Sequence, residues 1–383
     1  MVIAATVTGC GSGSHASRVP QPKVLRVALT NKGCSPKRLA AKSGPMRFLV
    51  KNSGTKRVSE LEVLKMNGVL LGERENIFSH ESGSFSLRLR PGHYILACPL
   101  LPYGGGDGTL VVTGARIRDA AAAISLAARI LPGQLYRPLA RYRGYVAALL
   151  ATTRTQLATL ALRLREGNLD GARSAWLAAH LSWLRLGQDD GAYGAFGNLG
   201  NRIDGTADGD PGTTSSPSFT GFHRIELDLW RRHDLAAARA DTATLTRLVA
   251  SLDQRKVDSD LPRTKDALNS WVLRCHEILE DAQRDSLSQN DNYGSNTDLA
   301  SIRADADATR EMLSVLAGLI EPRAPGLVAT AKRQLLAIDS ALAAAHARTE
   351  PANLPLRTRQ RINATVGAAL ETLAPVSELM EVA

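Results

Sequence analysis

Aromatic residues are scarce in this chain. Phe, Trp and Tyr make up 4% of its 383 positions, while Ala, Leu and Arg are plentiful. That balance suits Ala-packed helices better than extensive sheets. Cysteine is sparse too, and none of Cys10, Cys34, Cys98 and Cys275 stands in a Cys-x-x-Cys pair. A zinc ribbon and a thioredoxin-like redox motif are thereby excluded. No apolar run is long enough to cross a bilayer as a helix. The pattern His-Glu-x-x-His is absent, which removes the common route to a metalloprotease. Also missing is any dense Lys/Arg block interleaved with aromatics. The net charge of +10 is spread along the chain, so it describes a solvated, arginine-rich surface and not a nucleic-acid footprint. Attraction to an anionic membrane or cell-wall surface stays compatible with it.

What is present suggests two domains, because 383 residues exceed one ordinary compact unit. The opening Met1 to Gly9 is small and apolar and ends in Val7-Thr8-Gly9-Cys10. This looks like a bacterial lipobox. The expectation is export, with a lipid on Cys10 holding the chain at the extracytoplasmic face of the cell membrane without spanning it. A basic region before the apolar run is missing and the run is short for a signal peptide. A start further upstream would supply both. A polar linker as far as Pro22 completes this segment, residues 1–22.

Residues 23–114 carry short strand-like runs. Phe48, Leu49 and Val50 are apolar between Arg47 and Lys51. Phe85, Leu87 and Leu89 alternate with Ser86, Arg88 and Arg90. Such strands, punctuated by Gly, Pro and Asn, predict a β-sandwich. The order of elements resembles a cupredoxin. A blue-copper centre needs a Cys with a His, and usually a Met, shortly downstream. Cys98 is followed by Pro99, Leu100, Leu101, Pro102 and Tyr103, so blue-copper electron transfer is not expected. Two readings of the cysteines stand. Cys34 and Cys98 form a disulfide across the sandwich, or their thiolates hold copper or zinc with help from Glu60 or Glu62, which share one strand face.

The pattern changes at Gly114-Ala115. Residues 115–383 read as an all-α bundle, with helices predicted at Arg116–Ile130, Leu139–Arg165, Asp170–Leu186, Leu235–Leu252, Thr264–Leu287, Asp298–Leu319, Leu327–Ala347 and Thr358–Glu381. Sites in bundles are built from inward side chains on facing helices. The stretch with most chemistry is Gly221-Phe222-His223-Arg224-Ile225-Glu226. It follows a loop rich in Gly, Asp, Thr, Ser and Pro and opens a helical pattern. His223 and Glu226 are three apart and share a helix face, where an imidazole and a carboxylate can converge on a metal ion. Other polar groups inside apolar patterns are His180, Asp204, His276 and Glu277. The last two are adjacent and so point in different directions. Cys275 reads as a small buried thiol.

Gly221-Phe222-His223-Arg224-Ile225-Glu226 resembles the Gly-x-His-x-x-Glu pattern of imelysin-like proteins, in their EfeO branch. So do His276 to Glu280, Asn292 to Ser295, Tyr193 to Gly197, and Ile203-Asp204-Gly205. In the front domain Cys34-Ser35-Pro36, Gly72 to Ile77 and the strand ending at Cys98 resemble the same branch. The resemblance implies a cupredoxin-like domain followed by an imelysin-like helical domain. It also implies an exported iron-binding component, not an enzyme, that works with a membrane iron permease and a haem-containing peroxidase. By matching motif, iron in ferric or ferrous form would be held by His223, Glu226, Asp204 and Glu277, with His276 nearby. One departure stands out. After the His180 motif the family has an aromatic and then Glu, whereas Trp183 is followed here by Leu184, and Gly187 stands a turn on. The pocket is expected to lose one or two carboxylates, and His180, a turn earlier, is not expected to replace them. Two alternatives follow: a surface interaction protein whose metal site has decayed, and a zinc-dependent hydrolase for which no third protein ligand is evident.

Overall fold

The computed structural model describes residues 22–55, 58, 60–74, 77, 79–98, 106–114, 130–187, 198–207, 213–252, 262–289, 291–345 and 350–382. Cys10, the motif at 193–197 and, but for Ile130, the helix expected at Arg116–Ile130 lie outside them. Among the described residues nine strands come first: β1 Lys23–Thr30, β2 Gly33–Ser35, β3 Arg38–Lys42, β4 Gly44–Asn52, β5 Leu61–Lys65, β6 Leu70–Arg74, β7 Ser82–Leu89, β8 Gly92–Ala97 and β9 Gly108–Thr113. They form two sheets, β2-β1-β4-β7 and β3-β9-β8-β5-β6. The pairs β1–β4 and β3–β9 are parallel and the other pairs antiparallel.

Alternation sets which side chains meet between the sheets. In β4, Met46, Phe48 and Val50 are buried while Arg47 and Lys51 face solvent. Leu25 and Val27 of β1 stand opposite Phe48 and Val50 and enter the same core. Cys34 on β2 and Cys98 just after β8 are joined by a disulfide, which ties one sheet to the other. Of the two readings of these cysteines the structure takes the disulfide, so the copper or zinc thiolate site is corrected. Bonded sulfurs offer no thiolates, and Glu60 and Glu62 face elsewhere.

The helical part comprises α1 Pro132–Arg165, α2 Leu169–Leu184, α3 Asn198–Asp204, α4 Phe222–Leu227, α5 Leu235–Ser251, α6 Lys265–Asp281, α7 Asp298–Ile320, α8 Leu327–Ala343, α9 Leu356–Leu373 and α10 Pro375–Leu379. Single π-turns, Asp228–Arg232 and Ala282–Ser286, extend α4 and α6. α1 begins seven residues before its expected start, because Pro132 sits at a helix N-terminus, where a missing N–H costs nothing. Pro375 divides the expected last helix in two.

The bundle core follows helical periodicity. α1 buries Leu135, Leu139, Tyr142, Val146, Leu150, Leu157, Leu160 and Leu164 on one stripe. α2 packs along α1 and buries Ala172, Ala175, Trp176, Ala179, His180 and Trp183. His180 falls on that stripe one turn after Trp176, so the packing that buries the tryptophan carries the imidazole inward. Asn168 caps α2 by accepting from the Gly171 N–H at 2.8 Å. Trp176, Trp183 and Trp271 are fully buried, and side chains of that size each contribute about 2–3 kcal/mol through burial. α9 and α10 reach the front domain at β6. Across that junction the Lys65 ammonium meets Glu381 at 2.7 Å and the Arg74 guanidinium meets Glu371.

Candidate metal centre

Three elements converge at the start of α4. α2 supplies His180, the last residue of α3 is Asp204, and the first turn of α4 supplies His223. All are buried, at 2%, 7% and 4% exposure. Asp204 Oδ1 lies 3.0 Å from His180 Nε2 and 3.5 Å from His223 Nε2. The three ligand atoms fall within 4.8 Å of one another. Asp204 Oδ1 nevertheless takes no directed hydrogen bond, and His180 Nε2 makes none. A buried carboxylate oxygen without a donor is costly unless a cation lies against it. Two imidazole nitrogens and one carboxylate are a donor set that iron and zinc both accept.

Behind His223, Glu226 fixes the ring. Its Oε2 lies 3.1 Å from His223 Nδ1. Its Oε1 accepts the backbone N–H of Tyr293 at 3.0 Å and of Ser295 at 2.9 Å. Both oxygens are thus engaged, and Glu226 orients His223 Nε2 toward Asp204, a common arrangement behind metal-bound histidines. The shared helix face expected for His223 and Glu226 holds, yet Glu226 stands one step behind the cluster. Aromatic walls hold His180, with Trp176 at 4.8 Å and Phe222 at 5.1 Å between ring centroids. The Trp176 indole N–H donates to the Phe222 carbonyl at 2.9 Å, which links α2 to α4.

Further carboxylates surround the cluster, and motif reading did not single them out. They are Asp285 on the second π-turn, and Asp291 and Asp298 in the segment after it. Ser286 Oγ donates to Asp291 Oδ2 at 2.9 Å, and Asn292 Nδ2 donates to Asp298 Oδ2 at 2.9 Å. Burial lifts both: the charge of Asp285 adds to it for Asp291, which reaches about 6, and the charge of Asp291 adds to it for Asp298, which reaches about 7. The signal for Asp291 and Asp298 was the run Asn290 to Asp298, in which these two acids flank a loop already noted for Asn292 to Ser295.

His276 and Glu277 are not part of this cluster, a correction to the ligand set the resemblance implied. The His276 imidazole lies 3.0 Å from Glu73 of the front domain, and Glu277 pairs with the Arg274 guanidinium at 3.2 Å. Neighbouring residues on a helix diverge by about 100°, so neither follows the other to one point. His180, which was set aside, is in the cluster instead. Leu184, one turn after His180, is 3% exposed in the bundle core. The position expected to carry a family carboxylate is packed with hydrocarbon.

Burial pulls the His223 pKa down, but the Glu226 hydrogen bond and the charges of Asp204, Glu226 and Asp291 outweigh it and carry it to about 9. The imidazolium must therefore lose its proton before Nε2 can bind a metal. Below pH 9 affinity should rise by up to about tenfold per pH unit, flattening above it. Titration of zinc into the metal-free protein at pH 6, 7 and 8, with proton release followed in two buffers, would show it. A flat profile would mean that His223 takes no part.

Together the fold and the pocket define a two-histidine, one-carboxylate site in a helical bundle that follows a disulfide-linked sandwich. The chain belongs to the imelysin family, whose model matches residues 138–376, and a cupredoxin-like domain model matches residues 1–112. It is an EfeO-type member. The "Iron uptake system component EfeO" of Escherichia coli (strain K12) is 26% identical over 331 residues, covering 86% of this chain and 82% of that one. The proteins of the same name from Shigella flexneri and Escherichia coli O157:H7 match to the same identity and extent.

Proposed function

We propose that this protein is the iron-binding component of an iron-uptake system. It takes iron as cargo at His180, Asp204 and His223 and passes it to a membrane permease, with a haem peroxidase as further partner. The observation that carries the reading is the convergence of three buried ligand atoms on one point, with a buried carboxylate oxygen left without a donor. The names of the relatives support iron as the cargo. Export and a lipid on Cys10 fit the Val7 to Cys10 pattern. The Cys34–Cys98 disulfide agrees with an oxidising compartment.

The same donor set suits a zinc hydrolase, and the third ligand that this alternative lacked is His180. Such an enzyme also needs a base within reach of bound water. Glu226 is the nearest carboxylate by sequence, and its oxygens are held by two backbone N–H groups and His223. That observation removes Glu226 as the base, the role a hydrolytic reading would give it.

The test is a competition titration of the soluble chain from Pro20 with ferrous and ferric iron against a chelator, beside Asp204→Asn. Micromolar or tighter binding that drops in Asp204→Asn is expected. Equal retention of iron by both proteins would overturn the pocket, and chelator-sensitive turnover of a peptide library would move the assignment to hydrolysis.

A further inference from the structure

A second constellation sits where the two domains meet. β5 and β6 pair so that Glu62 stands opposite Glu73, and residues opposite one another share a face. Glu60 is two positions before Glu62, the spacing that repeats a strand face. From the bundle come His276 and Glu280, one turn apart on α6 and so on one side of it. His276 Nε2 lies 3.0 Å from Glu73 Oε2 and 3.8 Å from Glu280 Oε2. Carboxylate oxygens of Glu60, Glu62 and Glu280 lie within 4.8 Å of one another.

Acidic clusters are common on protein surfaces, and this one differs in a specific way. Glu73 is 3% exposed and His276 2%. Neither oxygen of Glu73 takes a directed hydrogen bond, although His276 is at contact distance. Four carboxylates and one imidazole are gathered here, Glu73 and His276 buried and Glu60, Glu62 and Glu280 half-buried beside them, so the like charges repel one another. Glu73, buried and without a directed donor, stands opposite Glu62 of that cluster, an arrangement that a cation satisfies.

We infer that Glu60, Glu62, Glu73, His276 and Glu280 form a second metal site, at the junction of the domains, for a hard multivalent cation. Oxygen dominates the donor set, which selects such an ion over a soft one. The disulfide removes the cysteines from any such site, so Glu60 and Glu62 serve the junction and not the sandwich interior. Because β5, β6 and α6 all contribute, an ion here clamps the sandwich to the bundle. The inference stands apart from the His180–Asp204–His223 pocket and does not need it.

The experiment counts ions. Metal-stripped soluble chain is loaded with ferric citrate, desalted and measured for iron by elemental analysis, and its melting temperature is read with and without metal. Four proteins are compared: wild type, His223→Ala, Glu62→Gln/Glu280→Gln, and all three changes together. Wild type should hold two ions, His223→Ala and the Gln pair one each, and the combined variant none. Melting temperature should rise with metal in His223→Ala and not in the combined variant. The Gln changes keep shape and relieve repulsion, so the metal-free Gln pair should melt no lower than wild type. If His223→Ala holds no iron and shows no melting shift, the junction site is wrong. Loss of only the Glu62-dependent ion in the Gln pair supports it. Survival of the Glu62-dependent ion in a wild type that lacks the His223-dependent one would instead sink the pocket.

Discussion

His180→Ala and His223→Ala should each abolish high-affinity iron binding at the bundle pocket while leaving the metal-free fold intact. Each removes one of three ligand atoms that crowd around Asp204 Oδ1. Losing a direct ligand should exceed the roughly 10–100-fold loss that follows from removing a supporting partner. Glu226→Gln supplies that smaller case. The Gln carbonyl still accepts the Tyr293 and Ser295 N–H groups. Its amide must then donate to His223 Nδ1, which places a hydrogen on Nε2, the nitrogen needed for metal. Affinity should fall about 10–100-fold. The His223 pKa should also drop, because its strongest raising partner is gone. Competition titrations of the three variants, with the His223 pKa followed by NMR, separate the roles. Iron binding by His180→Ala at wild-type strength would return the ligand set to the one implied by motif alone.

That contrast shows which parts of the site could be read in the sequence. His223 and Asp204 were legible because each sits in a short motif whose neighbours constrain its direction. Glu226 was placed on the correct face, but its job depends on two backbone N–H groups about seventy positions away. No local pattern reports such a contact. His180 was weighed by distance along its helix from a lost carboxylate. What decides its role is the burial of Trp176 one turn before it, which turns the imidazole toward Asp204. Glu277 and His276 were placed at the pocket by the resemblance alone, and helical pitch, which sends adjacent side chains in different directions, keeps them from it. His276 meets Glu73 across a domain junction, which is a property of docking and not of either segment alone. The sandwich and the bundle were clearer, since alternation in β4 and the leucine stripe of α1 repeat over many residues. Boundaries slipped where proline acts positionally, at Pro132 and Pro375.

Gly221→Ala tests whether the backbone, rather than the ligands, sets the geometry of the pocket. Gly221 caps α4 with φ +84° and ψ −153°, a region that L-residues avoid at about 1–3 kcal/mol. Space is also lacking. A Cβ there would lie 2.0 Å from the Ile203 carbonyl oxygen and 2.7 Å from that of Arg202. Those are backbone atoms of α3, one and two residues before Asp204, and they cannot swing aside as a side chain would. Thr220 Oγ1 also donates to the Arg202 carbonyl at 2.7 Å, so the two segments are stitched together at this point. An added methyl must push α4 from α3, and so His223 from Asp204. The variant should lose stability by at least the conformational cost, about 1–3 kcal/mol, read as a lower urea midpoint. It should also bind iron far more weakly although every ligand is present. Gly144→Ala is the control: apart from the neighbouring backbone of its own helix, nothing lies within 4 Å of a Cβ there. It sits inside α1, where Ala is favoured over Gly by about 0.5–1 kcal/mol. It should leave iron binding unchanged and raise the midpoint. Wild-type affinity and stability in Gly221→Ala would show that the contact between the Gly221 turn and the end of α3 does not hold the pocket together.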